Sequence, residues 1–209
     1  MRSNDVDEVL STTRAIRRRL DLDRPVEREV VLECLRLAVQ APTASNEQDW
    51  RWIVVTDPDL RRELAEIYRS CGADYLADAA ATATDPQTRR VYEGALHLTE
   101  TLARVPVLVI PCIERRFDGA PNGVAASAYG SIMPAAWSFL LALRSRGLGS
   151  VWTTLHLFRE KDAARLLGIP DDVTQVAMFP VAYITGDSLK PASRPPVEDI
   201  VHWDRWGGA

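Results

Sequence analysis

The apolar positions of this chain fall into two kinds of pattern. Spacings of three and four mark helices. Val6, Val9, Leu10, Thr13 and Ile16 make the first such face. Val30, Cys34, Leu37, Ala38 and Ala41 make the second, on a helix expected from Val26 to Ala41. Leu60, Leu64, Ile67, Tyr68 and Cys71 form a third, and Val91, Ala95, Leu98 and Leu102 a fourth. Both of these open on Asp-Pro, at Asp57-Pro58 and Asp85-Pro86, an N-cap followed by the one helical position that tolerates proline. From Cys71 to Thr84 the pattern weakens into small residues, which leaves a mobile helix or a lid. Gly123 to Arg146 is the longest helical candidate. Its apolar residues, Ile132, Ala135, Ala136, Phe139, Leu140 and Leu143, cover more than one face, as in a helix buried centrally or at a subunit contact. Gly147 closes it. Lys161 to Leu167 reads as a short helix stopped at Gly168. Continuous apolar or β-branched runs mark strands at Ile53 to Val55, Val105 to Ile113, Ser150 to Thr153 and Val173 to Ile184.

The order is helices, strand, helices, strand, long helix, strand, short helix, strand. That order gives an α+β fold, or a three-layer α/β/α sandwich, around one sheet. No linker or repeat divides it, so a single domain is expected over 1–209, with a core at 11–187 and an extended proline-rich tail at 188–209. The tail carries Ile200, Val201, Trp203 and Trp206, which should pack along the body or across a partner subunit.

Composition narrows the function by exclusion. The 209 residues are 46% hydrophobic and 26% charged, as in a globular chain, and the net charge of −4 offers no general attraction for nucleic acid or an anionic membrane. No apolar run in the sequence approaches the roughly 20 residues of a membrane span. Cys34, Cys71 and Cys112 are widely separated, which argues against a disulfide framework and suits a cytoplasmic location. Hydrolytic and metal motifs such as GxSxG and HExxH are absent, and His97, His156 and His202 lack partners at ligand spacing.

What remains is a set of donors. TTRAIRRRLD places Arg14, Arg17, Arg18 and Arg19 within six residues. This is either a solvated charge cluster or a phosphate clamp, since guanidinium binds phosphate bidentately. APTASNEQDWRWIVV places a Ser/Asn-rich turn, Pro42 to Asn46, between a helix and a strand. GLGSVWTTLHL places a second turn after the long helix; its two glycines do not make GxGxxG. A late arginine, Arg194, completes the set. Such donors suit a flat aromatic ligand with a phosphate tail.

TTRAIRRRLD, APTASNEQDWRWIVVTDP, LLALRSRGLGSVWTTL and VAMFPVAYITGD, in that order over about residues 11 to 205, resemble the nitroreductase family of FMN-dependent oxidoreductases. The resemblance implies a mainly antiparallel central sheet and a homodimer with FMN at the interface. It implies hydride transfer from NADH or NADPH to flavin N5, then to a small aromatic acceptor in ping-pong fashion. Arg14, Arg17 and Arg18 would hold phosphate and ribityl oxygens. Pro42, Thr43, Ala44 and Asn46 would approach the flavin from the other subunit. Trp152, Thr153, Thr154 and Leu155 would pack on the ring, with a backbone amide near Thr154 facing N5 and no acid/base side chain required. Arg194 would close on the phosphate, and Ser131 and Ile132 would line the ribityl side. Trp50, Trp152 and Phe158 are candidates for the pocket edge, and His156 either reaches the pocket or lies at the surface. The sequence departs from the family at Ile16, where serine is common, and at Asp49, where proline is common. Other flavin chemistry on this fold (dehalogenation, flavin breakdown) and a non-catalytic flavin-binding scaffold stay open.

Overall fold

A computed structural model describes residues 3–186 and 189–208. The expected boundary between core and tail, at 187 and 188, lies outside the described residues. Among the described residues there are six α-helices: α1 Ser3–Thr12, α2 Arg28–Ala38, α3 Pro58–Thr82, α4 Pro86–Thr101, α5 Asn122–Arg144 and α6 Glu160–Leu167. The strands are β1 Trp50–Val55, β2 Val107–Ile113, β3 Leu148–Gly149, β4 Thr174–Gln175 and β5 Phe179–Tyr183. They form one sheet in the order β1-β2-β5-β3, with β4 also on β2, and all pairings are antiparallel.

β2 is buried along its whole length and its side chains alternate between two cores. Val107 and Val109 face one core with Val31 and Cys34 of α2, Phe139 and Leu143 of α5, and Phe179 and Val181 of β5. Leu108, Ile110 and Cys112 face the other with Leu64 and Tyr68 of α3, Leu98 of α4 and Ala163 of α6. The expected α/β/α layering is therefore present, and it follows from a central strand that is apolar on both faces.

β2 and β5 each carry a proline, unusual inside a sheet. Val176 N–H donates to the Pro111 carbonyl at 3.0 Å, on the side where β4 gives way to β5. Pro111 thus lacks its donor where the ladder is already interrupted. Met178 N–H donates to Thr153 at 2.8 Å, so by strand alternation Pro180 faces the stretch where residues 150–152 leave the sheet.

Asp57 caps α3 by accepting from the Asp59 and Leu60 amides, and Asp85 caps α4 by accepting from Thr88. Gly147 and Gly168 take φ of 76° and 67°, the left-handed stops expected of them. Burial pushes the Cys34 thiol up to about 11 and the Cys112 thiol up to about 12, so both are neutral packing groups.

Several expectations need correcting. α1 ends at Thr12, so Ile16 does not belong to it and Arg14 and Arg18 share no helical face. The backbone there is captured by the sheet: Ile16 N–H donates to Ser150 at 2.8 Å, and Leu20 bridges Ile184. Of the two readings for residues 71–84, a helix is the one present over 71–82, as a continuation of α3 and not a separate element. The 150–153 run makes a single bridge, Thr153 to Met178, and the strand lies just before it at β3. Val173 to Ile184 is two short strands. α5 has 23 residues and a mean hydropathy of 1.3 over its most apolar stretch, enough by length and composition to cross a membrane. It packs instead on α2 and the sheet as a core helix. The tail does not lie down on the body of its own chain: Ile200, Trp203 and Trp206 are 64%, 67% and 91% exposed.

Candidate functional site

The arginine segment, the 152–155 turn and the 42–46 loop occupy distinct places, and their hydrogen bonds show how each is held. Residues 13–19 are extended and then turn, lying against β3 through the Ile16–Ser150 bond. Ile16 is buried there, and a Cβ at Gly149 would come within 3.1 Å of it, so the close approach requires glycine. The three arginines diverge. Arg14 is exposed and its Nη1 donates to the Lys190 carbonyl at 2.8 Å. Arg18 is exposed and loosely paired with Glu93 at 3.6 Å. Arg17 is half-buried beside Tyr68 and Gly94. Among the described residues no carboxylate pairs with it, and burial lowers its pKa, partly offset by Tyr68.

The turn grows out of the core. Thr153 exchanges backbone bonds with Met178, and its hydroxyl lies 3.0 Å from the Tyr68 hydroxyl. Trp152 packs edge-on to Phe179 at 5.1 Å. Leu155 sits against α3 where Gly72 leaves room: a Cβ there would come within 2.8 Å of Leu155 Cδ2. Thr154 is exposed, and among the described residues nothing accepts from its amide. His156 is fully buried with neither ring nitrogen partnered, and desolvation lowers its pKa to about 4. It is therefore a neutral core residue and not a surface one. Phe158, a candidate for the pocket edge, is 80% exposed.

The loop is held differently. Ser45, Asn46 and Gln48 take φ of 51°, 56° and 53°, left-handed values that few residues other than glycine adopt. Ala44 N–H donates to Ser131 Oγ at 3.0 Å, and Trp50 Nε1 donates to the Ser131 carbonyl at 2.9 Å. Ser131 is thus a support for the loop, and Ile132 beside it is fully buried in α5. Arg115 Nε donates to Asp49 Oδ2 at 2.8 Å, and its Nη2 also binds Glu47. Sequence reasoning missed Arg115, because nothing near it in the chain announces a partner some 66 residues away. Arg194 is exposed and bonds the adjacent Ser193 carbonyl; the tail meets the arginine segment at Lys190. Among the described residues no group of three or more His, Cys, Asp and Glu is arranged to hold a metal.

The model of the family described as "Nitroreductase family" matches residues 10–183. The chain belongs to the Nitroreductase family. A relative named NADH dehydrogenase from Thermus thermophilus is 29% identical, with 86% of this chain and 87% of that protein covered. Iodotyrosine deiodinase 1 of Rattus norvegicus is also 29% identical, over 96% of this chain and 70% of its own length. A crystal structure of oxidized iodotyrosine deiodinase bound to FMN and 3-iodo-L-tyrosine superposes with a TM-score of 0.72 at 24% identity, covering 96% of this chain and 99% of that one. The α+β architecture with its mainly antiparallel sheet is thus that of the nitroreductase fold. Within it the arginine segment and the 152–155 turn are brought together through the Ile16–Ser150 bond. The 42–46 loop is held on α5, at Ser131.

Proposed function

We propose that this chain is an FMN-dependent oxidoreductase that passes hydride from NADH or NADPH to a small aromatic acceptor, acting as a homodimer. The observation that carries the reading is the Ile16–Ser150 bond, which sets a segment of cationic side chains beside a turn where Thr154 is exposed and, among the described residues, nothing accepts from its amide. The donor set fits such a cofactor. Among the described residues, Arg17 is half-buried with no carboxylate beside it, and Ser150 Oγ is buried without a partner. Arg14, Arg17 and Arg18 would bind phosphate and ribityl oxygens; the Thr154 amide would donate at the ring; Trp152 and Leu155 would supply apolar contact and exclude water. Bound flavin supplies two-electron hydride chemistry, so the protein need only bind, orient and shield.

Dimerisation is supported by apolar surface left open on one chain. Val124, Tyr129, Met133 and Trp137 are exposed along α5, Val6 and Leu10 along α1, and Trp203 and Trp206 in the tail. A second copy would cover them and bring its own 42–46 loop and Arg194 to the cofactor. The three free cysteines, two of them buried, suit a reducing cytoplasm.

The test is a visible spectrum. Protein carrying FMN is yellow, is bleached by NADH or NADPH, and is recoloured by a nitroaromatic or a quinone. A colourless protein that ignores added FMN overturns the proposal. Arg14→Ala should weaken FMN binding by about 1–3 kcal/mol, the range of a charge-assisted hydrogen bond. The rat deiodinase relative favours a second reading, reductive removal of halide from a halogenated phenol. Halide release by the reduced protein, with no turnover of nitroaromatics, would select it.

A further inference from the structure

The 43–49 loop stands in a conformation that its own residues resist. Three of its positions are left-handed and none is glycine. Its internal bonds, Gln48 Nε2 to Asn46 Oδ1 at 2.8 Å and Gln48 N–H to Thr43 Oγ1 at 3.3 Å, tie it only to itself. At one end an outside anchor comes from α5, through Ser131 Oγ. At the other end it is Arg115, just past β2. Its Nε and Nη2 reach Asp49 Oδ2 at 2.8 and 2.7 Å, and Nη2 also binds Glu47. Glu114 N–H donates to the Asp49 carbonyl at 3.0 Å alongside. Arg115 is itself fixed, because its carbonyl accepts from Thr174 Oγ1 at 2.6 Å. This is more than a surface ion pair: the Asp49 side chain is 16% exposed and its Oδ1 is buried without a partner. Without the guanidinium, that carboxylate would be stranded.

We infer that Arg115 is a positioning residue, a clamp that joins Glu47 to Asp49 and holds the 43–49 loop in the shape that it presents to the cofactor of the partner subunit. The inference rests on the FMN reading for its consequence, but the clamp can be tested without it. Arg115→Met removes the charge, and Asp49→Asn keeps the shape with a weaker bond should the first variant fold poorly. In protein free of FMN, hydrogen exchange of the 43–49 amides should quicken in both variants, while β2 and α5 keep their protection. FMN affinity should fall by about tenfold in Arg115→Met, as expected when a charge-assisted bond is lost. Unchanged exchange in the loop overturns the clamp. A loosened loop with unchanged FMN affinity overturns the positioning role. Wild-type protein that binds no FMN overturns the functional reading instead, and the exchange measurement then decides the clamp alone.

Discussion

The 152–156 turn and the 43–49 loop are both assigned to the candidate site, yet they are built on opposite principles. The turn is an outgrowth of the core. Its residues pack on Phe179, Tyr68 and Gly72, and His156 beneath it has no contact with solvent. The loop is a surface structure in unfavourable backbone, held by a hydroxyl at one end and an arginine at the other. The turn can move only if the core moves. The loop can move if its few polar anchors let go. A site assembled from both has one fixed wall and one adjustable wall.

The comparison is sharpest where the core is cut. Phe179 is fully buried between Phe139 and Trp152. Phe179→Ala should cost about 3–5 kcal/mol in urea unfolding, the usual penalty for emptying an aromatic site. A loss below 1 kcal/mol would mean that the turn does not depend on the core.

The second effect is on acid stability. His156 titrates near 4 in the folded protein and near its ordinary value when unfolded. The unfolded chain therefore binds the extra proton first as pH falls. The stability contributed by keeping this ring neutral is complete above about pH 6.5 and is lost progressively down to about pH 4, on the order of 3 kcal/mol in all. Unfolding curves across that range should show the slope, and His156→Leu should flatten it.

On the loop side, Ser131→Ala removes the acceptor for Ala44 N–H and should cost about 1 kcal/mol in stability. Its larger effect should be faster exchange at the Ala44 amide. If the global loss exceeds that of Phe179→Ala, the contrast between the walls is wrong. The smallest effect belongs to the Arg18–Glu93 pair, 59% and 44% exposed at its two ends. Glu93→Gln should leave the midpoint of unfolding within about 0.5 kcal/mol of wild type, since water already screens both groups.

Both walls were partly legible in the sequence: the turn at 42–46 does lie between a helix and a strand, but its outside anchors are not local signals. Helix starts at Asp57 and Asp85, stops at Gly147 and Gly168, and the doubly apolar β2 are local signals that the structure keeps. The end of α1 was not legible, because Arg14 to Arg19 suit a helix on propensity and are drawn out only by distant strand ends at Ser150 and Ile184. The continuation of α3 was left open between a helix and a lid for a related reason. Ala73, Ala77 and Ala79 to Ala81 carry little pattern but are the best helix formers. The burial of His156 goes with the packing of its segment, residues 155–159, on the distant α3. The pairing of Arg115 with Asp49 is visible only once β1 and β2 lie side by side. Asp49, noted as a departure from the family's proline, turns out to be where that arginine takes hold.

Pro180 has a consequence beyond its own strand. An amide at that position would face the gap where residues 150–152 leave the sheet, and would invite those residues to zip closed against β5. Because the ring has no hydrogen to offer, the edge cannot heal, and the passing chain is free to arch outward. The interruption between the Gly149–Ala182 pair and the Thr153–Met178 bridge is thus secured by a missing donor on the neighbouring strand.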